Sequence, residues 1–251
     1  MTPVLPRTGR HDGLAYALWL PDASEAPPRA GVVVIHGAGS AKESHYDFAR
    51  EAIALGFATL TFDQRGHGES EGRFDHRAVS DVVAMARLLR GELAAGAPVA
   101  LRGSSLGGYL ALRAATPARA GAVVAISAAS ADGLRRARTN PELPWRTDPV
   151  AVDRMLSEEQ LASAVATLAV PVLFMHAQGD EQVPVELSRE LVTEARAPGS
   201  RLIEVPGGHH RSVQHDAELQ AVSLRFLQTA LGLRRARAGA GSRETERRER
   251  H

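Results

Sequence analysis

The chain has 251 residues, a formal net charge of +1 and no cysteine. This length is enough for one large domain with a substantial hydrophobic core that needs no covalent cross-link. The lack of cysteine excludes disulfide bonds, thiolate catalysis and zinc sites with cysteine ligands.

The two ends of the sequence differ in composition from the rest. Residues 1–11 contain no apolar core, so we expect no secretory signal, and no apolar run approaches the length of a membrane span. Residues 234–251 carry seven arginines and three glutamates with almost no large apolar residue. This composition predicts a disordered basic tail after a single domain of residues 1–233. A basic tail can contact nucleic acid, but we interpret it as a solvated extension. The lack of cysteine and of a secretory signal leads us to expect a cytoplasmic protein, and we expect it to bind neither nucleic acid nor membrane.

Apolar runs alternate with helical patterns along the body of the chain. The apolar runs predict strands at residues 14–20, 31–35, 57–62, 99–101, 122–126, 170–175 and 201–205, the first of them at a sheet edge. The helical patterns predict helices at residues 45–55, 80–93, 110–115, 185–195 and 216–231. Strands separated by helices indicate the α/β class, with a mostly parallel twisted sheet and helices on both faces.

Polar motifs follow five of these strands, each within two residues of the last apolar residue. They occupy residues 36–40, 63–70, 103–107, 176–184 and 206–210. In open α/β sheets, ligands bind beyond the carboxyl ends of the strands. The five motifs are therefore expected to meet at one edge of the sheet and to form a single site.

Residues 103–107 read Gly-Ser-Ser-Leu-Gly, which is the Gly-x-Ser-x-Gly pattern with Ser105 at its centre. The pattern lies between a predicted strand and a predicted helix, the context in which it forms a sharp turn that exposes the serine. Gly103 and Gly107 lack Cβ atoms, so strand and helix can approach closely. Ser105 is therefore the candidate nucleophile, and Ser104 is interpreted as a small residue that the turn requires.

Taken together, the motifs resemble those of the α/β-hydrolase superfamily over roughly residues 10–232. The matching signatures are His36-Gly37-x-Gly39, Asp63-x-Arg65-Gly66-His67-Gly68-x-Ser70, Gly103-x-Ser105-x-Gly107-Gly108, Gly179-Asp180-x-x-Val183-Pro184 and Gly207-x-x-His210. A narrower resemblance is to small serine esterases and acyl hydrolases with a reduced cap, including feruloyl and cinnamoyl esterases. It implies an α/β-hydrolase fold and a hydrolase of small acyl or aryl carboxylic esters that needs no cofactor and no metal.

A serine hydroxyl becomes a nucleophile when a base takes its proton and an acid holds that base in the right tautomer. The chain order Ser105, Asp180, His210 is the order expected for this fold. The backbone N–H of Leu106 is one expected oxyanion donor, and the resemblance implies that of Ala38 as the second. An acyl-enzyme would form on the serine and then be hydrolysed by water.

Some assignments stay open at the level of the residues. His209 competes with His210 as the base, although the resemblance favours His210, because similar hydrolases have the spacing Pro-Gly-x-x-His that is found at Pro206-Gly207-x-x-His210. A metal site built from both histidines and His215 would lack a recognised ligand spacing. The same triad would serve a thioesterase or an amidase, and a fold can also host non-hydrolytic, ligand-binding members.

Two polar residues near the motifs are interpreted as structural. Asp63 ends a predicted strand and is interpreted as a turn former with Arg65, not as the catalytic acid. His67 lies between Gly66 and Gly68 and is interpreted as a loop histidine.

The long connection before the strand at 170–175 contains a predicted short cap at about residues 134–156. A single covering helix is expected to begin at Ser157, with Gln160 completing a capping box. Trp145 and Met155 are candidates for lining an acyl or aryl pocket, and the alternative for Trp145 is packing onto the core. The arginines of the cap either attract an anionic substrate or form a solvated surface.

Overall fold

The computed structural model describes residues 4–21, 26–157 and 161–233. In these residues one sheet contains the strands β1 (Arg7–His11), β2 (Leu14–Trp19), β3 (Gly31–Ile35), β4 (Ala58–Phe62), β5 (Val99–Ser104), β6 (Val123–Ile126), β7 (Val172–Ala177) and β8 (Arg201–Val205). Their order across the sheet is β1-β2-β4-β3-β5-β6-β7-β8. β2 pairs antiparallel with both of its neighbours, and all the other pairs are parallel. The predicted mostly parallel sheet is confirmed.

Helices cover both faces of this sheet. A 3₁₀ helix (Lys42–His45) precedes α1 (Tyr46–Ala54), which is followed by α2 (Ala78–Arg90), α3 (Leu106–Ala114), α4 (Ala131–Arg138), α5 (Pro149–Ser157), α6 (Leu161–Ala166), α7 (Val185–Glu194), α8 (Ser212–His215) and α9 (Ala217–Ala230). Helices α2, α3, α6 and α7 bury apolar side chains on one face, and α1 and α9 do so on the other. No helix within the described ranges is long and apolar enough to cross a membrane.

Strand β3 shows how the sequence places the sheet between two cores. Val33 and Ile35 pack on the α2–α3 face, whereas Val32 and Val34 pack on the α1–α9 face, and all four are buried. A strand covered on both sides gains from apolar residues at every position, which explains its uninterrupted β-branched run. The carboxyl end of this central strand is therefore held rigidly at the edge where the polar motifs lie.

The prediction that residues 14–20 form an edge strand is wrong. β1 pairs with the outer side of β2 and is itself the edge of the sheet. Most β1 side chains are exposed, so its sequence shows no apolar alternation. The sequence signal for this hairpin was Asp12-Gly13, a pair typical of two-residue turns. Both residues have the positive φ values that such turns require, 52° and 77°.

The prediction of a single helix between β6 and β7 is also wrong, because α4, α5 and α6 all lie there. Ser130 begins α4 by accepting a hydrogen bond from the backbone N–H of Gly133 at 3.0 Å, a capping signal that sequence reasoning missed. α5 ends at Ser157, and Gln160, the second half of the predicted capping box, lies outside the described residues. The predicted tail at 234–251 also lies outside them.

Candidate active site

Strand β5 turns abruptly into α3, and Ser105 is the residue at the turn. Its backbone has φ 52° and ψ −117°, a combination that residues other than glycine rarely adopt. The Ser105 N–H donates to the carbonyl oxygen of Ile126 at 2.9 Å, and the N–H of Ala129 donates to the Ser105 carbonyl at 3.1 Å. The strand predicted at 99–101 continues to Ser104, so the turn follows the strand without an intervening loop.

Two glycines make this turn possible. A Cβ atom on Gly103 would collide with the carbonyl oxygen of Gly107, and a Cβ atom on Gly107 would collide with that of Ile35. Both obstacles are backbone atoms, so they cannot move aside as a flexible side chain could. The start of α3 is thereby packed against the ends of β5 and β3. Its first N–H groups, beginning with that of Leu106, lack intrahelical partners and can serve as oxyanion donors.

The loop after β3 lies beside the turn. A Cβ atom on Gly37 would be 3.4 Å from the Ser105 Cβ atom. The fully buried His36 anchors this loop, because its Nε2 accepts a hydrogen bond at 3.1 Å from the backbone after β4. Burial lowers the pKa of His36, which keeps the imidazole neutral and able to accept. The predicted oxyanion residue Ala38 therefore belongs to a backbone segment that adjoins Ser105.

The loops after β7 and β8 bring Asp180 and His210 into direct contact. Nδ1 of His210 lies 2.8 Å and 3.0 Å from the two carboxylate oxygens, and the N–H groups of Gln182 and Val183 each donate to the carboxylate at 2.9 Å. Burial alone would raise the pKa of Asp180, but the hydrogen bonds from His176, His210 and the backbone lower it well below its usual range. The carboxylate is therefore ionised, and its hydrogen bond places the proton on Nδ1 of His210, which leaves Nε2 free to accept one.

His176 is a further partner of the carboxylate that sequence reasoning missed. It is fully buried, and its Nε2 lies 3.3 Å from the carboxylate of Asp180 and 2.9 Å from the carbonyl oxygen of Val183. Its Nδ1 lies 2.7 Å from the hydroxyl of Ser188 in α7. His176 thus joins the end of β7, the aspartate loop and α7. The only signal was a histidine four residues before the aspartate, which does not distinguish a structural from a catalytic residue.

The two adjacent histidines have different surroundings. His209 is exposed, its N–H donates to the hydroxyl of Ser212 at 3.1 Å, and its Nδ1 accepts from the N–H of Arg211 at 3.3 Å. The side chain of His210 is 10% exposed and faces the fully buried carboxylate of Asp180. Of the two, His210 is the one in contact with an acid.

Asp63 lies at the centre of a buried polar cluster that joins the loops after β3 and β4. Its carboxylate accepts hydrogen bonds from the Lys42 N–H at 2.7 Å, from Lys42 Nζ at 3.0 Å and from the Glu69 N–H at 2.9 Å. Burial disfavours the charged ammonium of Lys42, but hydrogen bonds to three carboxylates outweigh it and raise the pKa. Asp63 organises the turn, whereas Arg65, interpreted as its partner, instead binds Asp81 at 2.9 Å.

A strap from the cap, residues 143–148, is attached to the loop after β4. The Arg146 N–H donates to the Gly66 carbonyl at 2.8 Å, the Phe74 N–H donates to the Arg146 carbonyl at 2.8 Å, and the Asp148 N–H donates to the Phe74 carbonyl at 2.9 Å. A Cβ atom on Gly66 would collide with the Arg146 carbonyl, so this approach requires glycine there. Backbone pairing thus fixes the strap to the body of the domain.

Aromatic packing adds to this attachment. The half-buried Trp145 ring lies 5.3 Å from the ring of His67 and 5.4 Å from that of Phe74. Burial lowers the pKa of His67 to about 3, so the imidazole in this cluster is neutral. Met155 is 3% exposed and belongs to the main core. The structure thus shows where Trp145 and Met155 pack, whereas their contact with a substrate stays a prediction.

Two of the three hypothetical metal ligands contact different carboxylates. Nδ1 of His215 lies 3.0 Å from the carboxylate of Asp47, and His210 binds Asp180. Within the described ranges, no three His, Asp or Glu side chains are grouped as a metal site requires.

Comparisons with known proteins agree with this architecture. A family model described as serine aminopeptidase, S33, matches residues 26–145. An uncharacterised protein of Mycobacterium tuberculosis is 30% identical over 201 residues, covering 79% of this chain and 69% of that protein. A monoacylglycerol lipase of Mycolicibacterium smegmatis is 27% identical over 245 residues, covering 78% of this chain and 85% of that protein.

A solved structure shares the fold. Est1E of Butyrivibrio proteoclasticus, determined with ferulic acid bound, superposes with a TM-score of 0.69 at 22% identity and covers 90% of this chain and 98% of that one. In addition to this likeness, the chain has a strained serine turn after β5 and polar loops at the carboxyl ends of its parallel strands. The chain belongs to the α/β-hydrolase superfamily and is a serine hydrolase.

Proposed function

We propose that the chain hydrolyses carboxylic esters of small acyl or aryl groups through an acyl-enzyme on Ser105. The observation that carries the proposal is the hydrogen bond of 2.8 Å between His210 Nδ1 and the buried Asp180, at the same sheet edge as the strained serine turn. Such a pair orients a base whose Nε2 can take the proton of a serine hydroxyl.

The proposed reaction has two acyl transfers. The hydroxyl oxygen of Ser105 attacks the ester carbonyl while His210 Nε2 takes the hydroxyl proton, and the N–H groups of Ala38 and Leu106 stabilise the oxyanion. The proton then passes from the imidazolium to the departing alkoxide, which leaves as an alcohol. Water attacks the acyl-enzyme with the same base, and the carboxylic acid is released as the serine regains its proton. Asp180 stays ionised throughout and stabilises the imidazolium.

Support for small substrates comes from the attachment of the cap. A Cβ atom on Gly39 would lie 3.0 Å from the side chains of Leu143 and Pro144, so the strap rests on the loop that contains Ala38. Because backbone hydrogen bonds fix the strap to the loop after β4, it is not suited to lid opening at a lipid surface. The similar monoacylglycerol lipase and the ferulic acid bound to Est1E agree with an ester substrate.

A second candidate is amide hydrolysis, because the matching family model is described as a serine aminopeptidase. The same triad would act on either bond, and on a thioester. Rates on p-nitrophenyl acetate, on an aryl thioester and on amino-acid p-nitroanilides would rank the three activities. We propose that the oxygen ester is cleaved fastest.

The direct test is labelling by a fluorophosphonate probe, with the modified residue located by mass spectrometry, followed by p-nitrophenyl esters of increasing acyl length. We expect label on Ser105 and turnover that declines towards long chains. A folded protein that takes no label would point to a non-hydrolytic, ligand-binding member of the fold. We also propose that the protein is cytoplasmic and binds neither nucleic acid nor membrane. Detection of such binding, or of the protein outside the cytoplasm, would contradict these predictions.

Asp180→Asn is expected to lower kcat by roughly 10³- to 10⁴-fold at every pH between about 5 and 9. An amide does not hold the base in the required tautomer and does not stabilise an imidazolium. The pKa of Asp180 lies below its usual range in the folded protein. The ionised carboxylate therefore stabilises the fold at every pH above its pKa in the unfolded chain. This stabilisation is lost only when the pH falls through the lower pKa of the folded protein. Because a general base must be neutral to accept the serine proton, wild-type activity should rise with pH. A flat profile, with chemistry shown to limit the rate, would contradict the general base.

Trp145→Ala is expected to change the ratio of kcat/KM between acetyl and aromatic acyl esters by about tenfold or more, because one large apolar contact is worth roughly 1–3 kcal/mol in such discrimination. Trp145→Phe is the matched control, since it keeps a ring against His67 and Phe74. If Trp145→Ala instead slows all esters equally and lowers the Tm, the ring only attaches the strap.

A further inference from the structure

Arg102 is a buried cation that the proposed reaction does not use. It lies in β5, three residues before Ser105, on the face that packs against α1 and α9, and its exposed fraction is 0%. Its guanidinium lies 4.0 Å above the ring of Phe48. Its hydrogen bonds in the described part of the chain go to His45 and Gln214, and the charge of Asp47 acts on it without a direct bond. Removing a guanidinium from water without a directly bonded carboxylate is costly, and an apolar side chain would fill a core position at lower cost.

The principal hydrogen bond of Arg102 reaches the segment that follows the proposed base. Its Nη2 donates at 3.0 Å to the carbonyl oxygen of Gln214, a residue 112 positions away in the chain. Gln214 belongs to α8 (Ser212–His215), which begins two residues after His210. Carbonyl groups at the end of a four-residue helix lack intrahelical partners, so an outside donor is required. Gln220 supplies a second donor to the same carbonyl at 3.0 Å.

The other side of the guanidinium is fixed by the segment that enters α1. Its Nη1 lies 3.4 Å from Nδ1 of the buried His45. Burial, and then the charge of Arg102, lower the pKa of His45 well below its usual range, so the imidazole is neutral and Nδ1 can accept. Arg102 is thus held between α1 and α8 and has little freedom to move away from the Gln214 carbonyl.

We propose that Arg102 is a positioning residue that ties α8 to the strand carrying Ser105 and so holds His210 in register with the nucleophile. This inference rests on the proposed function for its catalytic consequence. Ser105 and His210 lie on loops after different strands, β5 and β8, which β6 and β7 separate. A direct bond from β5 to α8 bypasses the intervening strands and limits how far the two loops can drift apart. Such drift matters, because a displacement of about 1 Å can cost roughly 10²-fold in rate.

The test compares Arg102→Met, which keeps much of the side-chain volume and removes every donor, with Leu89→Ala. Leu89 is fully buried in α2, outside the contacts of Arg102, and serves as a control for general loss of stability. The measurements are Tm, kcat and KM on a p-nitrophenyl ester, and hydrogen exchange of the backbone amides of residues 209–216. Exchange reports on the position of α8 even if no ester is turned over.

We expect Arg102→Met to lower kcat by about 10- to 100-fold with KM changed less than about threefold, and to speed exchange in residues 209–216. Leu89→Ala should lower the Tm without either effect. Arg102→Lys keeps one donor and should be intermediate, and it carries the test if Arg102→Met does not fold.

Unchanged exchange in residues 209–216, or an equal loss of kcat in Leu89→Ala, would overturn the inference. A wild-type protein that cleaves no ester would overturn the proposed function instead. In that case, faster exchange in the arginine variants would still support the tie between Arg102 and α8.

Discussion

Ser105→Ala is expected to lower ester turnover by roughly 10⁴-fold or more while the Tm and the circular dichroism spectrum stay close to those of the wild type. The hydroxyl forms the acyl-enzyme, and no neighbouring group can replace it, whereas the methyl group of alanine fits the same turn. The measurement is steady-state hydrolysis of p-nitrophenyl acetate together with fluorophosphonate labelling, and both should be lost.

Ser104→Ala is the matched control for this substitution. Ser104 precedes the proposed nucleophile, is 4% exposed, and its hydroxyl has no hydrogen-bond partner among the residues that the structure describes. Its removal should therefore leave kcat within about threefold of the wild type. Near-normal turnover in Ser105→Ala would refute the proposed nucleophile, and loss of activity in Ser104→Ala alone would move it by one position.

His210→Ala is expected to cost roughly 10³-fold or more in kcat, because the members of a triad act as a unit. His209→Ala should cost less than about tenfold, because that side chain is exposed and makes no contact with Asp180. Both variants remove one imidazole from adjacent positions, so each controls for the other. The measurement is kcat/KM on a p-nitrophenyl ester, with thermal melting to verify folding. The reverse order of losses would identify His209 as the base.

The motifs could be located from the sequence because this sheet has strongly apolar strands that end abruptly. β3 occupies the predicted residues 31–35, and β8 occupies the predicted residues 201–205. Where a buried strand stops, the first polar residues must lie at the sheet edge, and the parallel arrangement brings those edges together. The location of the serine turn, the aspartate loop and the histidine loop at this edge could therefore be predicted without coordinates.

The buried charges could not be found in this way. Arg102 and Lys42 belong to residue types that are normally exposed, and each is buried by partners distant in the chain. Lys42 contacts Asp63, which is 21 residues away, and Arg102 contacts Gln214, which is 112 residues away. Local patterns carry no information about such contacts. The strand prediction accordingly stopped at residue 101, just before the buried arginine.

The helices of the cap were missed for a related reason. Their apolar faces are short, and only a few residues on each, including Leu134 in α4 and Val152 in α5, reach the core. The pairing of the strap with the loop after β4 depends on the close approach at Gly66. A glycine in a loop signals conformational freedom, but not which segment approaches it.

The hairpin that closes the sheet has a consequence for the handling of the protein. β2 is almost entirely buried, with Trp19 and Leu14 among its side chains, and on its outer side its backbone donors and acceptors pair with β1. β1 carries Arg7 and Arg10 on a largely exposed strand, and charged edge strands discourage the addition of a strand from another molecule. A truncation that removed β1 would uncover an apolar edge able to template intermolecular strand pairing. Shortened versions of the protein should therefore aggregate before they lose the proposed catalytic residues Ser105, Asp180 and His210, which follow strands in the opposite half of the sheet.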